Sequence, residues 1–232
     1  MRRVSGYNLD EFIEPQPFNL ARMIVGSEGT LATIVEAKMR LVPKPKWTAM
    51  DVIHFNDDIE ALECAQIVLQ TQPYAMESTD KMILNLARGN IEQSRKLGFV
   101  QGTPDSLLMV EYAGETEAEV RAQVEKLEEL RRREKIGYAA TQAFKPEEVK
   151  AIWGVRKAGL GLLLGTKGDK KPIAFVEDTA VSPEKLPEFI RRFREVVTRH
   201  DTVAGYYGHC SVGCMHIRPL INLKDESERG KM

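Results

Sequence analysis

The chain has 232 residues and a formal net charge of -1, with 43% hydrophobic and 29% charged residues. This balance gives no reason to expect nucleic acid or an anionic membrane surface as a partner. Cysteines number only three, which argues against a disulfide framework and favours a reducing cytoplasm. The sequence contains no apolar run long enough to span a bilayer.

The first predicted elements are a short helix and a strand. Asn19 is a suitable cap for a helix that runs to Val25, and Gly26 would end that helix. From Leu31 to Leu41, apolar residues alternate with a more polar set at period two, which predicts a strand. The prolines of segment 43–46 would end the strand, because proline cannot continue a hydrogen-bonded ladder. We therefore predict a domain boundary at residue 46.

Beyond this boundary the hydrophobic pattern predicts strands that alternate with helices. The predicted strands are Ala49–Phe55, Leu107–Ala113, Tyr138–Ala143, Ile173–Val181, Thr202–Tyr207 and Cys214–Arg218. The predicted helices are 57–70, 78–87, 115–134, 146–155 and 184–200, and the third has an apolar stripe of Val120, Val124, Leu127 and Leu130. Short connections and half-polar strands favour an α+β fold with a largely antiparallel sheet and helices packed on one face.

Two segments could contact a ligand, and each also has an ordinary structural explanation. In Gly26-Ser27-Glu28-Gly29-Thr30 the glycines let the backbone approach a phosphate or a polar cofactor edge. The same residues suit a helix end and a tight turn. Arg156 lies in a predicted amphipathic helix, where its guanidinium could bind a carboxylate through two hydrogen bonds or could simply be solvated.

The segment from Gly208 to His216 is the most specific signal in the chain. His209 and His216 fall seven positions apart across a glycine turn. In a hairpin the two imidazoles could face each other and bind one metal ion. Cys210 and Cys214 offer a rival arrangement, a closed zinc site of two cysteines and two histidines. A third interpretation is a pair of histidines that is only hydrogen-bonded within the turn.

Three separated segments together carry a family resemblance. They are Val4–Leu9, then Gly26–Leu31 with Glu36-Ala37 and Leu41-Val42-Pro43, and finally Gly208–His216. They resemble the FAD-linked oxidases of the vanillyl-alcohol-oxidase type, whose last motif is usually Gly-His-x-Gly-Asp-Gly-Asn-x-His. The chain looks most similar to D-lactate dehydrogenases, the glycolate oxidase flavin subunit and D-2-hydroxyglutarate dehydrogenases. Arg156–Gly159 and Phe175–Val181 resemble a branch that is fused to an iron–sulfur segment.

The resemblance implies a fragment of a flavin enzyme that oxidises a small D-2-hydroxy acid to the 2-oxo acid. Residues 1–46 would close the FAD-binding domain, and residues 47–232 would form most of the substrate domain. The implied site residues are Gly26, Ser27, Glu28, Gly29 and Thr30 for FAD, His209 and His216 for a zinc, manganese or iron ion, and Arg156 and Arg218 for the substrate carboxylate.

The resemblance also implies partners and a location. These are an iron–sulfur domain or another electron-transfer partner, a homodimer, and a cytoplasmic position with peripheral contact to the inner membrane. The family's main flavin phosphate loop and a downstream Glu-His pair are not in this sequence. We therefore expect the isolated chain to be inactive and to bind FAD weakly.

Several positions depart from the family pattern. Val212 and Cys214 stand where the family usually has aspartate and asparagine, and Arg218 stands where relatives often have asparagine. Val176 replaces a basic substrate contact that some relatives carry. These departures predict an altered substrate pocket. They also leave open an alternative, a non-catalytic α+β binding module that keeps the ancestral fold.

Overall fold

The chain divides by its internal contacts into two units, one within residues 3–44 and one spanning Pro45–Met232. This computed structural model describes residues 3–4, 6–13 and 17–232. Ser5, which belongs to the first segment of the family resemblance, lies outside the described residues. The assignment of residues 1–46 to an FAD-binding domain stays a prediction.

The helix predicted in the first unit is present. Helix α1 spans Leu20–Ile24, and the Asn19 side chain caps it by accepting a hydrogen bond from the Ala21 amide at 3.0 Å. Gly26 follows with a φ of 82°, a left-handed conformation that glycine adopts without steric cost. The cap and the terminating glycine were therefore predicted at the correct places.

The strand predicted at Leu31–Leu41 is wrong. This segment is irregular, and its apolar residues are exposed, with Val35 at 95% of its full accessible surface. A strand forms only where a second strand satisfies its amides and carbonyls. Among the described residues none pairs with this segment. The apolar residues therefore alternate with the period of a strand, but the segment lacks the paired strand that strand formation requires.

The second unit is built on one antiparallel sheet of eight strands in the order β4-β1-β3-β2-β7-β8-β5, with β6 paired to β8. The strands are β1 Trp47–Phe55, β2 Ala75–Asp80, β3 Ser106–Gly114, β4 Ala139–Ala143, β5 Lys170–Pro172, β6 Thr179–Ala180, β7 Ala204–His209 and β8 Cys214–Asn222. The sheet confirms the predicted α+β class with largely antiparallel pairing.

Helices cover both faces of this sheet, which corrects the expectation of one covered face. They are α2 Asp58–Val68, α3 Lys81–Gly89, α4 Ile91–Ser94, α5 Glu117–Glu134, α6 Pro146–Leu164, α7 Leu186–Arg199 and α8 Glu226–Arg229. One apolar core joins α2, α5 and α7 to the sheet, and a second joins α3 and α6 to the opposite face. Strand β1 supplies both cores, because Ile53 faces the first and Val52 the second.

Two predicted elements have different boundaries. Ser78 and Thr79, predicted to open a helix, lie in β2, and α3 begins only after Asp80 caps it through a 3.1 Å bond from the Ile83 amide. Segment 173–178, predicted as strand, is irregular between the short strands β5 and β6. The hydrophobic pattern did not predict β2, because the polar residues of this strand are buried only by tertiary contacts.

A buried carboxyl group lies between β1 and α5. Asp51 is fully buried in the core beside Glu128 of α5, which forms an ion pair with Arg131 at 2.5 Å. Burial raises the pKa of Asp51 to about 8, and the charge of Glu128 adds to this increase. Asp51 is therefore protonated in the folded chain at neutral pH.

We predict that Asp51→Asn stabilises the chain at pH 8 and not at pH 3. In the unfolded chain this carboxyl ionises near pH 3.8, whereas in the folded chain it ionises only near pH 8. Between these values the unfolded state gains stability as pH rises and the folded state does not. The variant should gain about 2–5 kcal/mol in free energy of unfolding at pH 8. Urea unfolding at both pH values measures this, and a gain independent of pH would contradict it.

Candidate active site

The register of three neighbouring strands collects polar side chains on one face of the sheet. Strands β2 and β7 pair Ser78 with Gly208, and strands β7 and β8 pair Tyr207 with His216. Alternate residues of a strand share a face. The face that α6 covers therefore presents Glu77, Tyr207, His209, His216 and Arg218.

Glu77 is the buried carboxylate at the centre of this group, with 8% of its surface exposed. Its Oε1 lies 2.6 Å from Nδ1 of His209. Its Oε2 accepts hydrogen bonds from Nε and Nη2 of Arg156 in α6, at 3.0 and 2.7 Å. Helix α6 and strand β7 therefore meet at one side chain of β2.

His216 makes the corresponding contact with a different segment. Its Nδ1 bonds to Asp178 and lies 3.2 Å from Oε1 of Glu177, just before β6. Burial lowers the pKa of His216, and this outweighs the opposing effect of Asp178. The ring is therefore neutral at pH 7, the form in which histidine binds metals.

The two imidazoles lie close together. Their ring centroids are 5.2 Å apart with an interplanar angle of 79°. In each ring Nδ1 is engaged by a carboxylate, which leaves Nε2 as the nitrogen that can bind a ligand. A carboxylate on the second nitrogen is the usual support of a metal-binding histidine.

Both candidate arginines contact this group. The guanidinium of Arg156 lies over the Tyr207 ring, 5.0 Å from its centroid, and the Tyr207 ring lies 4.9 Å from that of His216. Arg218 forms an ion pair with Glu177 and is 7% exposed. The structure thus brings together the four residues predicted for metal and carboxylate binding in this unit.

A second ligand set overlaps the histidine pair. Glu177, Asp178 and His216 can each offer one atom, and these atoms lie within 4.8 Å of one another. Arg218 already occupies one oxygen of Glu177. In this set Nδ1 of His216 already contacts both carboxylates, whereas Nε2 of either ring stays available to a ligand.

The closed zinc site of two cysteines is wrong. Cys210 packs in the apolar core on the other face of the sheet, and its thiol donates to the Met76 carbonyl at 3.5 Å. Cys214 lies on the histidine face, directly opposite His209. The two thiols therefore lie on opposite faces of the sheet and cannot both reach the same imidazoles.

The sequence reasoning missed the carboxylates that organise the site. Glu77 was not identified because β2 was not predicted. Tyr207 was not identified because its strand was predicted without an assignment of its two faces. Glu177 and Asp178 occur in a segment that was predicted as a strand and used for the family resemblance, but neither carboxylate was given a role. The spacing of Glu77 and Thr79 in a period-two pattern was the signal that could have exposed β2.

The Gly26–Thr30 segment lies in the first unit and forms a turn. Gly26, Glu28 and Gly29 have φ values of 82°, 51° and 78°. The Ser27 carbonyl accepts from the Thr30 amide at 2.9 Å and from its hydroxyl at 2.6 Å. A Cβ atom added at Gly29 would meet no other atom within 4 Å, so the backbone is open to a ligand there.

Comparison with known proteins identifies the class of this chain. Residues 44–232 match the family described as FAD linked oxidases, C-terminal domain. The chain belongs to this family.

Relatives with known names are similar over nearly the whole chain. It is 33% identical to the D-2-hydroxyglutarate dehydrogenase of Pantoea ananatis and 34% identical to that of Escherichia coli, over 100% and 98% of its length. It is 27% identical to the glycolate oxidase subunit GlcD of Bacillus subtilis over 91% of its length. The chain spans about a quarter of the two dehydrogenases, 24% and 23%, and 44% of the oxidase subunit.

A solved structure supports the fold. The 4-ethylphenol oxidase from Gulosibacter chungangensis, in complex with isoeugenol, matches with a TM-score of 0.53 at 12% identity. The match covers 83% of this chain and 43% of that oxidase. Within the described residues, none of the helices has the length and apolar character needed to cross a membrane.

One glycine holds the Glu177–Asp178 segment beside the histidines. Gly213 has a φ of 70°, and its carbonyl accepts from the Val181 amide at 3.0 Å. A Cβ atom at this position would lie 1.8 Å from the Val181 carbonyl oxygen. Any side chain must therefore separate the turn from the chain that carries Asp178.

We predict that Gly213→Ala lowers the free energy of unfolding by at least about 2 kcal/mol, because left-handed backbone strain adds to the steric clash. The matched control is Gly161→Ala in α6, where a Cβ atom meets nothing within 4 Å. Alanine is the better helix former, so the control should gain about 0.5–1 kcal/mol. Chemical unfolding measures both variants, and equal stabilities would contradict the role of Gly213.

Proposed function

We propose that the full-length protein oxidises a small D-2-hydroxy acid to the 2-oxo acid, with FAD as hydride acceptor. The observation that carries this proposal is the pair of imidazoles with Nδ1 engaged and Nε2 available, next to two guanidiniums on one sheet face. Relatives named D-2-hydroxyglutarate dehydrogenase, glycolate oxidase subunit and D-lactate dehydrogenase support the same reaction class.

The first unit would supply part of the flavin site. We propose that residues 1–46 close an FAD-binding domain and that residues 47–232 form the substrate domain. The open backbone at Gly29 fits the close approach of a cofactor edge, and Gly26–Thr30 would line it. When bound, FAD supplies the hydride acceptor, while the protein binds and orients the substrate.

The histidine face fits a divalent metal. Metal–nitrogen distances near 2.0–2.1 Å put two imidazoles on one tetrahedral ion with centroids about 5 Å apart, and the rings here are 5.2 Å apart. His209 and His216 would hold zinc, manganese or iron. Such an ion, when bound, would supply a Lewis acid for the substrate hydroxyl.

The arginines would bind the substrate carboxylate. Arg156 uses Nε and Nη2 for Glu77, so Nη1 remains available as a donor. The three carboxylates of Glu77, Glu177 and Asp178 outnumber the two guanidiniums, so the site has a negative formal charge without a metal. A divalent cation reverses this sign and favours an anionic substrate.

The finer features of the full protein also belong to this proposal. We propose that electrons leave through an iron–sulfur domain or another electron-transfer partner. We further propose a homodimer in the cytoplasm, with peripheral contact to the inner membrane through that partner. The similarity to relatives over almost the whole chain supports the family reaction.

In the full-length protein, His209→Ala or His216→Ala should lower kcat for D-2-hydroxy acid oxidation by about 10³-fold or more, because each removes a metal ligand. Flavin absorbance should remain, whereas bound metal, measured by elemental analysis, should fall. The control is His200→Ala, a histidine exposed after the end of α7. Wild-type kcat in the histidine-pair variants would show that the pair is structural and would contradict the metal mechanism, whereas no oxidation by the unaltered full-length protein would favour the non-catalytic binding module.

Arg218→Lys should raise KM for the hydroxy acid by roughly tenfold, since lysine keeps the charge and loses the planar donor pair. The variant keeps a cation beside Glu177, so the thermal unfolding temperature should change little. Steady-state kinetics and thermal unfolding test this together. An unchanged KM would remove Arg218 from the carboxylate site.

A further inference from the structure

Glu77 divides its two carboxylate oxygens between two different functional groups. Oε1 contacts Nδ1 of His209 at 2.6 Å, and Oε2 contacts Arg156 at 3.0 and 2.7 Å. Its side chain is 10% exposed and that of Arg156 is 11% exposed, so water competes little for these bonds. One buried residue therefore joins β2, β7 and α6.

Both neighbours of Glu77 must donate. A guanidinium has five N–H donors and no acceptor. A carboxylate only accepts, so Nδ1 of His209 carries a hydrogen, and Nε2 is then the one ring nitrogen that can offer a lone pair to a metal. The position thus requires a group with two acceptor oxygens that point in different directions.

We infer that Glu77 is a positioning residue that sets the tautomer of His209 and the orientation of Arg156 at the same time. The roles of these two residues as metal ligand and carboxylate binder rest on the proposed function. The hydrogen-bond requirement itself does not. Glu77 thereby couples His209, the proposed metal ligand, to Arg156, the proposed carboxylate-binding residue.

An amide at this position can serve only one of the two donors. In Glu77→Gln, the oxygen can face Arg156, and the NH₂ group then donates to Nδ1 of His209. This forces the ring hydrogen to Nε2 and blocks the metal-binding nitrogen. Alternatively the oxygen faces His209, and the NH₂ group then opposes the guanidinium, which loses both bonds.

The experiment uses the 232-residue chain with ¹⁵N labels, without metal, flavin or substrate. Imidazole ¹⁵N shifts report the tautomer of His209, and hydrogen exchange at Nε of Arg156 reports its bond to Glu77. The matched control is Glu111→Gln. Glu111 is equally buried at 8% on the same sheet face, but its carboxylate accepts from Trp153 at 3.0 Å instead of from His209 or Arg156.

In the wild-type chain we expect the Nδ1–H tautomer and slow exchange at Arg156. In Glu77→Gln we expect transfer of the hydrogen to Nε2. A separate Zn²⁺ titration by calorimetry should then show a 10- to 100-fold loss of affinity. Rapid exchange at Arg156 with the His209 tautomer retained would equally support the inference, because the glutamine oxygen would then accept from His209 and no longer from Arg156. Wild-type tautomer and wild-type exchange together would overturn it.

The control and the readouts separate this inference from the proposed function. Glu111→Gln should leave the His209 and Arg156 signals unchanged, and a matching change there would overturn a specific role for Glu77. The NMR signals are recorded without substrate. Absence of hydroxy acid oxidation by the full-length protein would therefore reject the proposed reaction and leave the role of Glu77 unaffected.

Discussion

The candidate site depends on the register of β2, β7 and β8. Side chains alternate between faces, so a slip of one residue in β8 would turn His216 and Arg218 into the apolar core beneath α2 and α7. Gly208 stabilises this register, because a Cβ atom there would lie 2.6 Å from the Cys214 carbonyl oxygen. The close approach of β7 and β8 sets the distance between the two imidazoles.

The two faces of the sheet have different energetics. The face under α2 and α7 is packed with apolar residues such as Met76, Met215 and Ile217, and it contributes stability through burial. At β2, β7 and β8 the opposite face buries ion pairs beside the apolar core under α3 and α6, and these pairs offer little net stability because desolvation offsets attraction. Glu77 with Arg156 is one such pair. Polar groups on this face are better explained by orientation of functional side chains than by stability.

The sequence predicted the elements that have strong local signals. Helix α5 was predicted with its buried stripe, since Val120, Val124 and Leu127 recur at helical spacing. Strand β2 was missed because its residues Glu77 to Asp80 are polar and are buried only by contacts distant in sequence. The histidine pair could be found from a motif, whereas its carboxylates come from β2 and from the segment before β6. These side chains meet because of the order in which the strands pair in the sheet. The hydrophobic period of a single segment does not predict that order.

The departures from the family motif leave this convergence intact. Val212 is 38% exposed in the turn after β7, and its apolar side chain cannot hydrogen-bond to either imidazole. Cys214 lies opposite His209 in the ladder, yet Nδ1 of His209 is held from the other side by Glu77. The supports of both rings therefore come from residues outside the altered positions. The altered positions therefore leave both contacts between Nδ1 and a carboxylate in place, Glu77 with His209 and Asp178 with His216.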